Sequence, residues 1–200
     1  YAGDRRGLFA SLAAAISASG ANIANARVHT TKDGAAFDVF SIQTSDHKPF
    51  GLNHPAALEA LMGRLHRAAL EDYPAPHAQP HSRRTSAFAI EPWVRFDNDI
   101  TAHATVIEAS GRDRLGLLAD LASVCAKEGV SIASAHIDTL GERASDVFYV
   151  QEEGGGQIAE PRRIAALKSK LETVLRAAEP AAPAGPDKPA LAVARASTAR

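Results

Sequence analysis

The chain has 200 residues, 46% of them hydrophobic, which is enough apolar material for one large or two small packed cores. Twenty-two Lys and Arg against 23 Asp and Glu leave a formal charge of -1, without the basic excess of a nonspecific nucleic-acid binder. Its one cysteine, Cys125, excludes an intrachain disulfide framework, and the lack of an apolar run near 20 residues excludes a membrane-spanning helix, so the expected setting is the cytoplasm. No Met opens the chain, which begins three residues before its first motif and reads as a piece of something longer.

In chain order, Tyr1 and Ala2 are all that stands where a first strand is expected. A helix follows from about Leu8 to Ser19, then two strands, the first opening at Asn22 and the second reading AFDVFSIQ from Ala36 to Gln43. A second helix runs from Pro55 to Glu71. A polar, Pro-containing loop over 73–86 separates it from a strand at Ala87 to Phe96. The pattern then restarts. Thr105 to Ala109 forms a strand and Ser110 to Arg114 a turn. Leu117, Leu118, Leu121, Val124 and Cys125 recur at helical spacing until Gly129 ends the helix. Ser131 to Thr139 and Ser145 to Gln151 make a hairpin around Gly141 and Glu142. A Gly-rich loop then leads into a helix with Pro161 in its first turn and Ile164, Leu167, Leu171, Val174 and Leu175 along one side.

The restart is a duplication. DRRGLFASLAAAISASGANIANARVHTT from Asp4 and DRLGLLADLASVCAKEGVSIASAHIDTL from Asp113 agree at 12 of 28 positions, and ASDVFYVQ at Ala144 to Gln151 answers AFDVFSIQ after a one-residue slip. Each copy reads β-α-β-β-α with a closing strand, so the fold class is α+β: two ferredoxin-like βαββαβ units, antiparallel sheets with helices on one face. The expected division is 1–97 for the first unit, its first strand truncated and so leaving neighbours unpaired, and 98–178 for the second. Residues 179–200 form an Ala- and Pro-rich tail that reads as disordered or as carrying a last strand at 190–194.

The duplicated turn carries the chemistry. A strand that ends where Gly7 or Gly116 opens a helix presents unpaired backbone N–H groups and the positive end of the helix dipole, a seat for an α-carboxylate. Asp4 or Asp113 can bind an α-ammonium beside it, and Asn22 or Ser131 can hydrogen-bond the same ligand or a side-chain amide. The same residues also read as plain structure: an Asp cap, a Gly for close packing, turn chemistry at a strand start. The eight His residues are scattered. His77 and His81 lie in the loop without metal-ligand spacing, and His29, His103 and His136 suit exposed strand positions. Asp38 and Asp146, equivalent in the two copies, read as cross-strand pairing, Cys125 as core, and Arg83 with Arg84 as a small basic spot. No nucleophile elbow, P-loop, HExxH pair or His-Asp doublet occurs.

The D-R-x-G-L-[LF] turn followed by G-x-[NS]-I resembles the ACT domain, a small-molecule sensing module tied to amino-acid metabolism. SAHIDTLGERASDVFYV and FAIEPWVRFDN sharpen the resemblance, over roughly residues 1 to 176, to the tandem ACT region of the bifunctional PII uridylyltransferase/uridylyl-removing (GlnD) family. One departure is that Arg6 and Leu115 stand where that pattern commonly has Pro. The resemblance implies a ligand site at Asp4, Gly7, Leu8, Asn22 and Ile23 in the first copy. In the second copy it implies Asp113, Arg114, Gly116, Leu117, Ser131 and Ile132. It further implies L-glutamine or another small amino acid as ligand, and the parent's catalytic domains and the PII protein as partners. It implies no nucleic acid or membrane, and no cofactor here, Mg2+ being expected in the parent's catalytic domains, which lie N-terminal to such a region. Two other readings stand beside the sensor: an ACT-repeat scaffold that binds no ligand itself, and an RNA-binding domain displaying Phe148 and Tyr149.

Overall fold

The computed structural model describes residues 2–31, 34–71 and 90–177. The loop expected over 73–86, with His77, His81, Arg83 and Arg84, and the tail from 179 with its strand at 190–194, lie outside the described residues. The elements are β1 (Ala2–Gly3), α1 (Leu8–Ser17), β2 (Asn22–Thr30), β3 (Ala35–Gln43), α2 (Pro55–Leu70), β4 (Trp93–Asp97), β5 (Thr105–Arg112), α3 (Leu117–Lys127), β6 (Val130–Leu140), β7 (Arg143–Glu152) and α4 (Pro161–Arg176). Apart from the start of β4, expected at Ala87 and found at Trp93, they agree with the periodicities to within a few residues at each end. The fold is α+β.

The strands do not form two sheets. They form one antiparallel sheet of seven in the order β1-β3-β2-β6-β7-β5-β4, joined at its centre by β2 against β6. In that ladder Arg27 faces His136, Asn25 faces Asp138 and His29 faces Ser134. Arg27 and His136 are equivalent positions of the two repeats, so a pseudo-twofold axis passes through this pair. The helices obey the same axis, α1 packing on α3 at the centre, with α2 outside α1 and α4 outside α3. Small side chains make the central contact possible: Ala10, Ala13 and Ala14 of α1 and Ala119 and Ala122 of α3 are all buried. One apolar core spans both repeats, from Phe9 and Ile16 through Leu117 and Leu121 to Phe148 and Leu171. With Phe148 only 1% exposed in that core, the pair Phe148 and Tyr149 makes no displayed two-ring stacking platform of the kind the RNA-binding reading expected.

The strand expected at Ala87 to Phe96 as the close of the first repeat is instead β4, and it pairs with β5 of the second, Trp93 opposite Ser110 and Asp97 opposite Val106. Residues 87–89 lie outside the described set. The cause is the short connection 98–104, which returns the chain as a hairpin before it can reach the far edge of the sheet. Side chains fix that return. Thr105 Oγ1 donates to Asn98 Oδ1 at 2.7 Å, Asn98 Nδ2 donates to the Ile158 carbonyl at 3.0 Å, and the Ile158 amide donates to Thr105 Oγ1 at 2.8 Å. The second repeat therefore has four strands in the order β6-β7-β5-β4. The first has β2, β3 and the two-residue β1, with no strand beyond β1 among the described residues.

Both repeats enter their first helix through a left-handed glycine, Gly7 at φ 82° and Gly116 at φ 84°, with ψ of -1° and -2°. The turns match although Arg6 and Leu115 stand where the resembled pattern commonly has Pro; the glycine, not the residue before it, holds the geometry. A Cβ added at Gly116 would touch only the Arg114 guanidinium at 3.9 Å and Ser17 Cβ at 4.0 Å, so backbone strain alone resists substitution. Gly116→Ala is therefore expected to destabilise the fold by about 1–2 kcal/mol without displacing a neighbour. Urea unfolding checks this: a fall in midpoint at unchanged m-value is the expected outcome.

Candidate functional site

The two turns face recesses built by both repeats. One is lined by Asp4, Arg5, Gly7 and Leu8 from the first repeat, with Ser131 and Ile132 at the start of β6. The other is lined by Asp113, Arg114, Gly116 and Leu117, with Asn22 and Ile23 at the start of β2. All the expected residues thus come together, but crossed. The turn of one copy meets the strand start of the other, not of its own. The antiparallel β2–β6 register produces this, because the start of each strand runs out beside the opposite repeat's helix.

The interactions separate structure from site. Neither helix has a side-chain cap, since the N-cap residue is glycine in both, so Asp4 and Asp113 are not helix caps. Asp4 accepts from Thr30 Oγ1 at 3.0 Å, and its amide donates to the Gly34 carbonyl. Asp113 Oδ2 accepts from Asn22 Nδ2 at 3.1 Å, a bond that crosses between repeats, and its amide donates to the Glu142 carbonyl. The N-cap glycines put no side chain of their own on the first-turn N–H groups of α1 and α3, which lie beside these carboxylates as a local positive field at the mouth of each recess.

The repeats differ at the arginine. Arg114, almost wholly buried, is held by Asp120 of α3 at 2.6 Å. Ser11 stands at the equivalent of Asp120 in α1, and Arg5 instead donates to the carbonyls of Ala68 at 2.9 Å and Glu71 at 2.6 Å, closing the C-terminal end of α2. The first recess is tied to α2, the second to its own helix.

Asp38 and Asp146 overturn the cross-strand reading. Asp38 lies opposite Val28, and Asp146 opposite Ile137 and Ala109, so neither has a charged partner across the ladder. Both point to the helix side, line the two recesses, and leave Oδ1 buried with no hydrogen-bond partner. Burial, then the Asp4 carboxylate, raises the Asp38 pKa from 3.8 to about 6. Burial, then the Asp113 carboxylate, pushes Asp146 well above the usual carboxylate range. The sequence signal was an acid within an otherwise apolar strand face, duplicated: Ala36, Asp38, Phe40 and Ala144, Asp146, Phe148.

Cys125 is core, 1% exposed, its thiol pushed up to about 12 by burial, so it is not a nucleophile. Among the described residues no group of three or more His, Cys, Asp or Glu is placed to hold a metal, and no helix is long and apolar enough to cross a membrane.

Residues 105–163 match the ACT domain family, so the second repeat is an ACT domain. The chain is 49% identical over 199 residues to the bifunctional uridylyltransferase/uridylyl-removing enzyme of Caulobacter vibrioides (strain NA1000 / CB15N), covering 98% of this chain and 21% of that protein. It is 47% identical over 201 residues to the enzyme of the same description from Phenylobacterium zucineum, covering all of this chain and 21% of that protein. Against the Azospirillum brasilense enzyme it is 38% identical over 178 residues, 86% of this chain and 19% of that protein. The chain spans about a fifth of the length of the curated relatives it matches. No solved structure matches it.

The Asp38 environment sets a pH dependence. A carboxyl whose folded-state pKa lies above its ordinary value leaves folding unpenalised below about pH 4 and penalises it increasingly as pH rises through about 6. Asp38→Asn removes that ionisation. The variant is expected to match wild type near pH 4 and to exceed it by about 1–2 kcal/mol at pH 7.5, the shift being discounted for partial exposure. Thermal denaturation of both proteins across pH 4–8 measures the gap, and a pH-independent difference would contradict it.

Proposed function

From the premise that this chain carries an ACT domain and is similar over nearly all its length to uridylyltransferase/uridylyl-removing enzymes, we propose that it is the glutamine-sensing regulatory region of such an enzyme. The parent acts in the cytoplasm on the nitrogen regulatory protein PII. The observation that carries the reading is the pair of composite recesses, each with a helix N-terminus, a turn aspartate and an amide or hydroxyl side chain from the opposite repeat. An α-carboxylate lies on the first-turn N–H groups of α1 or α3, while Ser131 or Asn22 meets the ligand's polar end. These roles fall to the duplicated residues, and no cofactor enters; the Mg2+ expected of the parent belongs to its catalytic domains.

Regulation follows from the composite construction. A ligand that touches both repeats stabilises one arrangement of the tandem unit, and it biases the parent from adding uridylyl groups toward removing them only through its differential affinity for two such arrangements. A coupling of about 1–3 kcal/mol is ordinary for a switch of this kind. The continuous seven-stranded sheet favours the scaffold reading as a second possibility, since β2 and β6 already join the repeats without a ligand.

Calorimetric titration of L-glutamine into the intact protein, with L-glutamate as comparison, separates the two. Saturable binding of glutamine in preference to glutamate is the expected result. Asn22→Ala, which removes an amide hydrogen bond from the Asp113 recess only, is expected to weaken one of the two sites about tenfold and leave the other unchanged. A folded protein that binds neither amino acid would leave the scaffold.

A further inference from the structure

A carboxylate buried on the helix side of a sheet needs compensation, and in Asp146 the fold supplies only part of it, the backbone N–H of Asp138. The side chain is 3% exposed, its cross-strand neighbours Ile137 and Ala109 are apolar, and its Oδ1 has no hydrogen-bond partner. Leaving that oxygen unpaired away from water costs free energy on the order of a few kcal/mol. The duplication repeats the arrangement in a shallower form, for Asp38, half-buried and met by the His29 backbone N–H, also leaves Oδ1 unpartnered and lines the other recess. In each recess the second carboxylate is the turn aspartate, Asp113 beside Asp146 and Asp4 beside Asp38.

Two acids facing one recess raise each other's cost, and among the described residues that line it the recess offers Asp146 no uncommitted cation. Arg114 lines the same recess but its guanidinium is held by Asp120, and the charged groups that act on Asp146, Asp113 from the turn and Asp138 from β6, are both acidic. An arriving ammonium relieves all of this at once: it supplies donors to the empty Oδ1 and a positive charge between two carboxylates.

We propose that Asp146, and Asp38 at the equivalent position, form the floor of the two recesses as recognition residues for a primary ammonium, gripping it against the turn aspartates Asp113 and Asp4. This rests on the reading that the recesses bind an amino acid, and it adds which group selects it: a free α-ammonium is required, and a ligand of the same carboxylate and side-chain amide without the amine is rejected. The helix N-terminus takes the anionic end and the carboxylate pair takes the cationic end, so the recess reads a zwitterion.

The test is titration of the intact wild-type protein and the Asp38→Asn/Asp146→Asn variant with L-glutamine and with glutaramate, which lacks the amine. Wild type is expected to prefer glutamine by 100-fold or more. The double variant should lose most of that preference by binding glutamine at least tenfold more weakly, with glutaramate binding unchanged; unchanged glutaramate binding also reports an intact recess. Each single variant should alter one site of two. If wild type binds glutamine and the variants discriminate as wild type does, or lose both ligands equally, the floor aspartates are not ammonium acceptors, while the sensor reading stands. If wild type binds no glutamine, the sensor reading fails and this proposal with it.

Discussion

Everything specific to this molecule depends on the hydrogen bonding of β2 to β6. A ferredoxin-like unit in the order β6-β7-β5-β4 ends in an edge strand, and an unpaired edge is a row of exposed backbone donors and acceptors. Here the edge strand of each repeat is completed by its own duplicate, antiparallel, with Arg27 against His136 at the centre. That register places α1 on α3 through alanines, sets each left-handed glycine against the other repeat's helix, Gly7 by Ala126 and Gly116 by Ser17, and carries the start of each strand to the opposite turn. The two recesses are consequences of the pairing rather than additions to it.

The symmetry is only approximate, and its failures are chemical. Asn22 spans the repeats to reach Asp113, whereas the equivalent position on β6 is the shorter Ser131, and Asp4 turns to Thr30 instead. Arg114 is fixed within α3 by Asp120; Arg5, facing Ser11 where an acid would stand, extends to the last carbonyls of α2. A duplicated unit has thus kept one backbone and diverged in what holds its turns. The first recess is mechanically connected to an outer helix, the second to the centre of the molecule.

The elements and the residues that line the two recesses were legible because they rest on local information: apolar spacing along the helices, Gly7, Gly116 and Gly129 as punctuation, and a repeat that exposes Asp4 with Asp113 and Asn22 with Ser131. What was not legible was pairing between distant segments. The strand at 93–97 looked like the end of the first repeat because it follows it in sequence, and nothing local announces that a seven-residue connection will fold it onto β5. The crossing of turn and strand start was hidden for the same reason, since spacing within a copy is blind to which copy lies alongside. Asp38 and Asp146 were visible but misjudged, because alternation alone does not tell which face of a strand is covered until the helices are in place.

For the proposed sensor, the strength of the β2–β6 junction constrains how a ligand can act. Five residue pairs of backbone ladder and the buried α1–α3 contact hold the repeats together whether or not a recess is filled, so occupancy cannot work by assembling them. It must act within the recesses, on groups whose present arrangement is unfavourable or replaceable: the Asn22–Asp113 bond, the empty oxygens of Asp38 and Asp146, and the reach of Arg5 to α2. Free energy stored as unsatisfied burial at these positions is released when a ligand satisfies it, and only the part released in one arrangement and not another is available to do regulatory work. Of these groups Arg5 alone joins a recess to an outer helix, so a change of charge beside Asp4 and Asp38 reaches the C-terminal end of α2 directly through one side chain.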